Sequence, residues 1–401
     1  MLLGSPLVTL ADGAVVRGAR ADDVPAMLQI ERDREGEDDA VDLELVASTP
    51  GELDSMSVVE IDGRVVSIAT LLDETVRVGS TDLPTGQVEM VATAKDAEGR
   101  GYVRALMERC HELSADRGHV VQVVIGIPHF YWQFGYSYSI PMHPWASVTR
   151  GVQMPDGYTV AAATLDDVAI CQALQDLTQA HYDIAMPHSD DCWRWLLCHT
   201  SSSQLLARDP SGAPVGLARV SPDDGDVDMG EVTATTSAAT DALIAHVLSL
   251  TSEEGAARVN IRPHVPGLEP RTQDVERTDW YYVRIGDPVA LFTALSPELL
   301  SRLKADDNDK GEALLSFWGS HVRLRWDGGT MRFERGGPMQ APTSSGGSGL
   351  PLDALGSLLF GGGAASLEGR FPDAYLGPQA ELMHTLFPPQ SADLLTFYLP
   401  S

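Results

Sequence analysis

The sequence predicts an α/β fold of the α+β kind, laid out as three successive units over residues 1–150, 151–282 and 283–401. Three observations carry this. Short apolar strands and amphipathic helices interleave from the N-terminus to about residue 285. The order of elements in the first unit returns in the second, as an internal duplication would produce. The last stretch begins a new series of helices and strands, broken by the Gly/Ser/Pro-rich loop APTSSGGSGLP. With 401 residues and 43% hydrophobic content, the chain is long enough for two or three cores.

Charge narrows the partners. There are 57 acidic and 28 basic side chains, a formal charge of −29, and the only lysines are Lys95, Lys304 and Lys310. Such a surface repels nucleic-acid phosphates and anionic membranes and draws cations. No apolar run reaches membrane-spanning length, and no basic region precedes the short apolar stretch of MLLGSPLVTLADG. A cytoplasmic protein without nucleic-acid or membrane partners is expected. The four cysteines are too few and scattered for a disulfide framework. Cys192, Cys198 and His199 have a C-x5-C-H spacing that fits no zinc pattern, so no metal is expected and DDCWRWLLCH reads as a buried helix.

In the first unit VVRGA reads as a strand, and Asp22 or Asp23 caps the helix DVPAMLQIERD with Pro25 in its first turn. The acidic stretch REGEDDAVDLE reads as a loop. Asp62-Gly63 joins two strands as a hairpin, and GQVEMVATAK is a further strand. A helix follows from Gly101 to Arg117, buried along Val103, Leu106, Met107, Cys110 and Leu113, and then the buried strand HVVQVVIG. The second unit repeats strand, acidic cap and helix in GYTVAAATLDDVAICQALQDLTQAH. It continues through QLLARD, APVGLARVSP and DVDMGEVTAT to the helix of TDALIAHVLSL and the strand ARVNI. The third holds YVRIGDPVALFTALSPELLSRL, the strands of HVRLRWDGGTMRFERGG and the helix LDALGSLLFGG, with nothing catalytic of its own.

Between strand and helix of the first unit lies AEGRGYVRAL. Gly99 and Gly101 free a turn from bulky Cβ groups at a helix N-terminus, where backbone N–H groups can hold a phosphate, and Arg100 and Arg104 can add charge-assisted bonds. The matching turn of the second unit, TATTSAATDAL, has no glycine, so a backbone cradle is expected in the first unit alone.

About thirty residues after the glycine turn comes IGIPHFYWQFGYSYS. The order VEMVATAK, EGRGYV, FYWQFGY resembles the GNAT acyltransferase superfamily. With YVRIGDPVALFTAL and LDALGSLLFGG behind two such units, nearly the whole chain resembles the enhanced-intracellular-survival (Eis) acetyltransferases: tandem GNAT domains and a sterol-carrier-protein-like domain. The resemblance implies an acetyl-CoA-dependent N-acetyltransferase acting on a small-molecule amine, and a homo-oligomer, a hexamer in that family. It implies that Val91, Ala92 and Thr93 bind the pantetheine arm and that Gly99, Arg100, Gly101, Tyr102, Val103 and Arg104 bind the diphosphate. Gly126 and Ile127 fall near the thioester, Tyr131 matches the general acid, and the terminal carboxylate of Ser401 matches the general base. Glu98 departs from the motif, which has arginine or glutamine there. The acidic residues Glu35, Glu37, Asp38, Asp39, Asp42 and Glu44 border the expected acceptor cleft and suit an aminoglycoside- or polyamine-like cation. A non-catalytic acyl-CoA sensor or scaffold and a lipid-binding protein are the two rival classes.

Overall fold

The computed structural model describes residues 8–394. Its first unit runs β1 (Val8–Thr9), β2 (Val15–Gly18), α1 (Val24–Arg34), α2 (Glu37–Ala47), β3 (Met56–Ile61), β4 (Arg64–Val78), β5 (Thr81–Thr93), α3 (Tyr102–Asp116), β6 (Val121–Val124), β7 (Ser137–Pro141) and β8 (Trp145–Val148). Most of the acidic stretch expected as a loop is helix α2. Glu37, Asp38 and Asp39 sit in its first turn, where carboxylates offset the helix dipole, and Ala40, Leu43 and Val46 form a buried stripe. Asp62 (φ 50°) and Gly63 (φ 77°) make the tight turn between β3 and β4.

The second unit runs β9 (Thr159–Ala162), α4 (Val168–Gln179), β10 (Ile184–Met186), α5 (Asp190–Cys198), β11 (Ser203–Arg208), β12 (Pro214–Asp223), β13 (Asp226–Ala234), α6 (Ser237–Leu250), β14 (Ala257–Asn260), β15 (Thr272–Gln273) and β16 (Trp280–Arg284). The likeness between the units extends to backbone irregularities. The β4–β5 register shifts between Ile68 and Thr70, with Met90 at φ 52°; the β12–β13 register shifts between Leu217 and Arg219, with Glu231 at φ 52°. Each is a bulge, where one extra residue turns the strand. In each unit a helix then crosses to a strand parallel to the bulged one, β5 to β6 and β13 to β14.

The two sheets exchange strands. The first has the path β1-β2-β3-β4-β5-β6-β16-β7, so β16 inserts between strands of the first unit. The second is β15-β8-β14-β13-β12-β11-β9, so β8, which lies before residue 150, pairs with β14 and β15. The remaining residues add α7 (Pro288–Ala294), α8 (Ser296–Ala305), β17 (Lys310–Ser316), β18 (His321–Asp327), β19 (Thr330–Gly336), β20 (Ser348–Gly349), α9 (Leu355–Phe360), α10 (Gly363–Arg370), α11 (Ala380–Leu386) and β21 (Ala392–Leu394). The sheet β19-β18-β17-β20 and its helices make an α+β layer. One apolar core joins this layer to the first sheet, with Leu291, Phe292, Leu355 and Phe387 in the same cluster as Val76, Leu83, Val121 and Val283. Gly356 is needed there, because a Cβ would lie 2.4 Å from Ser139 Oγ on β7. Among the described residues no helix is long and apolar enough to cross a membrane.

Candidate active site

Strands β5 and β6 pair only from Thr85 to Gln87 and then part. The bulge at Met90 bends β5 away just where its backbone becomes free. Ala94 N–H donates to Val66 O on β4 at 2.9 Å. Strand alternation therefore turns the polar groups of Val91 and Thr93 toward the gap. Ala92 and Thr93 are buried, and the Thr93 hydroxyl lies 2.6 Å from that of Ser67.

The glycine turn closes one end of this gap. Gly99 (φ 73°) and Gly101 (φ 83°) both hold left-handed conformations that other residues adopt at a cost. Gly101 is the N-cap of α3 and no side chain caps the helix. Among the described residues, no hydrogen bond uses the backbone N–H of any residue from Glu98 to Arg104. Unused donors at a helix N-terminus attract an anion. They face a groove of about 240 Å³ lined by Thr93, Ala97, Glu98, Gly99, Gly101, Tyr102, Val103, Arg104, Phe130, Gln133 and Phe134. Arg104 is held at its rim by Gln133 Oε1, 2.7 Å away, and by the face of Phe134. Arg100 reaches back to Asp96 O at 3.4 Å. The Tyr102 ring is buried away from the groove, its hydroxyl donating to Asp12 at 2.7 Å, so this residue offers the groove mainly its backbone. Glu98 forms an ion pair with Arg34 of α1 at 2.6 Å. That cation offsets the charge that departs from the family motif.

Tyr131 stands at the other end, in the short 3-10 helix Phe130–Phe134. It is 6% exposed, and no hydrogen bond among the described residues takes up its hydroxyl. Its ring lies against the end of β6: a Cβ on Gly126 (φ 152°) would come within 2.9 Å of it. Tyr282, from the inserted β16, packs edge-on against Tyr131 with ring centres 5.6 Å apart. Tyr282 Oη donates to Ile127 O at 3.2 Å and lies 2.8 Å from Tyr138 Oη, whose hydroxyl can supply the hydrogen of that second bond, fixing the turn that carries Tyr131. Ile127 itself is 62% exposed at the mouth. Burial, with the charges of Glu89 and Glu35 nearby, pushes the Tyr131 phenol well above its usual range, so it holds its proton at neutral pH. Of the residues named from the sequence, Thr93, Gly99, Gly101, Tyr102, Val103 and Arg104 line the groove and Gly126 lies against Tyr131, while Ser401 lies outside the described residues.

Opposite this end the sheet carries carboxylates that the sequence reading had not singled out as a group. Glu31, Glu74 and Glu89 are all buried, and desolvation raises each to about 8. Glu89 accepts a short hydrogen bond from Gln87. Asp42 is buried too, paired with His199 at 2.7 Å. The one legible signal was Glu31 lying on the same helical stripe as Met27 and Ile30. Among the described residues no three His, Cys, Asp or Glu side chains form a metal-binding group.

The matching slot of the second unit is filled. Arg262 is fully buried and donates to Val232 O at 2.9 Å and Thr233 Oγ1 at 3.1 Å, just past the second bulge. Helix α6 is capped by Thr236, whose hydroxyl takes the Ala239 N–H at 3.1 Å. Neither an empty gap nor a comparable set of unused donors remains there.

Residues 16–139 match the family model described as an acetyltransferase (GNAT) domain. No curated protein matches the chain. Among solved structures, the GCN5-related N-acetyltransferase from Kribbella flavida is 18% identical, with a TM-score of 0.70 and 96% of this chain and 98% of that one covered. A GCN5-related N-acetyltransferase from Anabaena variabilis is 14% identical, with a TM-score of 0.71 and coverages of 95% and 99%. Eis1 from Mycobacterium abscessus is 16% identical, with a TM-score of 0.62 and coverages of 95% and 99%. At these identities the likeness speaks to the fold, and it runs along nearly the whole chain. Residues 16–139 are therefore an acetyltransferase domain of the GNAT type, and the protein is an enzyme of that type.

Proposed function

We propose that the protein transfers an acetyl group from acetyl-CoA to an amine of a small cationic acceptor, polyamine- or aminoglycoside-like. One observation carries this: the unused N–H groups of residues 98–104 at a helix N-terminus open on a groove whose other wall is Phe130, Gln133 and Phe134, from the 3-10 helix that carries Tyr131. The diphosphate sits on those amides with Arg104 beside it, and the pantetheine arm runs along Val91 to Thr93, whose free backbone groups suit an amide-bearing chain. The thioester then lies beside the Tyr131 hydroxyl at the end of β6. An acceptor amine, once neutral, attacks the thioester carbonyl; a C–N bond forms and the C–S bond breaks as the tetrahedral intermediate collapses. The departing thiolate takes the Tyr131 proton, and a base takes the proton from nitrogen.

For the base we retain the carboxylate of Ser401. Strand β21 runs parallel to β10, which lies antiparallel to β4 at Arg77 and Val78. The described chain thus ends with β21 beside β10, which borders the strand β4 that carries Thr70, the partner of Glu89. Glu89 is the second candidate, because its charge is felt at Tyr131; with its carboxyl raised to about 8 it holds a proton at neutral pH, so as the base it requires a rate that climbs as pH rises through about 8. Steady CoA release with a panel of amines tests the enzyme reading, and acetyl-CoA binding without CoA release on any amine would turn it into a sensor. Adding a few residues after Ser401 separates the two bases: a normal rate assigns the role to Glu89.

We read residues 151–282 as the second GNAT-like unit and residues 283–401 as the sterol-carrier-like one, in a cytoplasmic homo-oligomer. Light scattering of the full chain checks the hexamer that the resemblance suggests.

A further inference from the structure

Resting on the reading above, we propose that Glu31 binds the second, non-reacting ammonium of a linear aliphatic diamine or polyamine, with Glu89 beside it. Glu31 is 1% exposed, and neither of its carboxylate oxygens has a hydrogen-bond partner. Such a carboxylate is costly to bury, and a ligand that brings N–H donors removes the cost.

Its direction is set by the fold. Helix α1 packs across β4 and β5, burying Met27, Ile30 and Glu31. The bulge gives β5 one residue more than β4 between the pairs Thr70–Glu89 and Ile68–Ala92. It therefore sets Glu89 and Met90 on one side of the strand, and Met90 and Ala92 share a core cluster with Met27 and Ile30. Glu74 follows Leu72 of that same cluster by two residues and so faces the same side. The charges around Glu31 are Asp39, Glu35, Glu89 and Asp42, all negative. Asp42 has His199 as partner, whereas no cation is paired with Glu31.

Tyr131 and Glu31 both feel the charges of Glu89 and Glu35, so an amine that reacts beside Tyr131 and extends past Glu89 meets Glu31 with its far end. The packing on this side of the sheet is apolar, with Met27 and Ile30 of the same helix and Met90 and Leu72 of the strands in one buried cluster. Carboxylates separated by methyl-bearing side chains match ammonium groups separated by methylenes, and they match a hydroxylated ring poorly.

The test uses the full chain saturated with CoA, with 1,4-diaminobutane and 1-aminobutane as probes in titration calorimetry. The diamine should bind roughly ten- to a hundred-fold more tightly, the size of one hydrogen bond to a charged group. Because Glu31 is protonated before binding, the diamine should release a proton, read as a heat that differs between buffers of different ionisation enthalpy. Glu31→Gln should erase both the preference and the proton release. Glu31→Met, which fills the same space without a charge, should do the same and guards against a folding defect. An unchanged preference in both variants, equal binding of the two amines to the wild type, or tighter binding of an aminoglycoside than of linear diamines would overturn the inference. Turnover is read separately: diamine binding that depends on Glu31, without CoA release from acetyl-CoA, leaves this inference standing and removes the acetyltransfer reading.

Discussion

Tyr131 is a buried phenol whose hydroxyl no described residue engages, pressed on the backbone of Gly126 and backed by Tyr282. Tyr131→Phe removes the proton and keeps the ring, so kcat should fall roughly ten- to a thousand-fold while calorimetric acetyl-CoA affinity is retained. An unchanged kcat would pass the acid role to water. Gly126→Ala should lower kcat with the tyrosine still present, because a Cβ 2.9 Å from the ring must displace it. The buried carboxyls predict a pH dependence of stability. Glu31, Glu74 and Glu89 have raised folded pKa values of about 8 against an ordinary 4.5. A raised value means the folded state holds the proton more tightly, so the stability these groups contribute is complete below about 4.5 and lost as pH rises through about 8. Melting curves should show Tm falling across that window, and Glu31→Gln with Glu74→Gln should flatten the fall.

At the level of elements, α3 and α6 occupy equivalent places but end differently, one on Gly101 without a cap and one on Thr236 with its own. Gly101→Val puts a branched side chain toward the groove and strains a residue at φ 83°. Acetyl-CoA heat should vanish, and equal affinity would move the site elsewhere. Strand β21 is held by a single charged residue: Asp393 is fully buried, bonded twice to Arg262 at 2.9 and 2.6 Å and to His143 at 2.8 Å. The Arg262 guanidinium and these hydrogen bonds hold its carboxyl below the usual range despite burial. The sign is opposite to that of the glutamates, since a depressed folded pKa gives stability that is present above about 3.8 and lost as pH falls below it. Asp393→Ala leaves Arg262 buried without its carboxylate and should cost about 3–5 kcal/mol in denaturant unfolding. If β21 aims the chain's end at the cleft, the same variant lowers kcat as well.

Over the whole molecule, the charge of −29 makes encounter with a cation the most salt-sensitive step. Raising ionic strength should lift KM for a polyamine with little change in kcat, and should do so less for a monoamine. Identical responses would leave the acidic face a solvated surface. Strand exchange also ties the units together. Tyr282 reaches the Tyr131 turn from the far side of the second unit, and the third layer shares its core with the first sheet. Cutting the chain at residue 150 would strip the first sheet of β16, so a 1–150 fragment should expose apolar surface and bind a hydrophobic dye.

The alternation of strands and helices, the turn at Asp62-Gly63, the glycine turn before α3 and the FYWQFGY segment were legible in the residues, because each depends on neighbours within a few positions. The duplication was legible in the recurring order of elements. Three things were not. REGEDDAVDLE looked like a loop because its charges mask a stripe of only Ala40, Leu43 and Val46. The exchange of β8 and β16 depends on which edge a strand meets in space, and local apolarity reads the same for either sheet. Glu31, Glu74 and Glu89 sit on three different elements, and a carboxylate's burial is a property of what packs over it. The chain alone determined that a glycine turn opens α3 and where that helix begins; only the tertiary structure decided that the matching slot of the second unit is filled by Arg262 and that Glu31 is buried without a hydrogen-bond partner, because burial and charge pairing arise between elements and not within them.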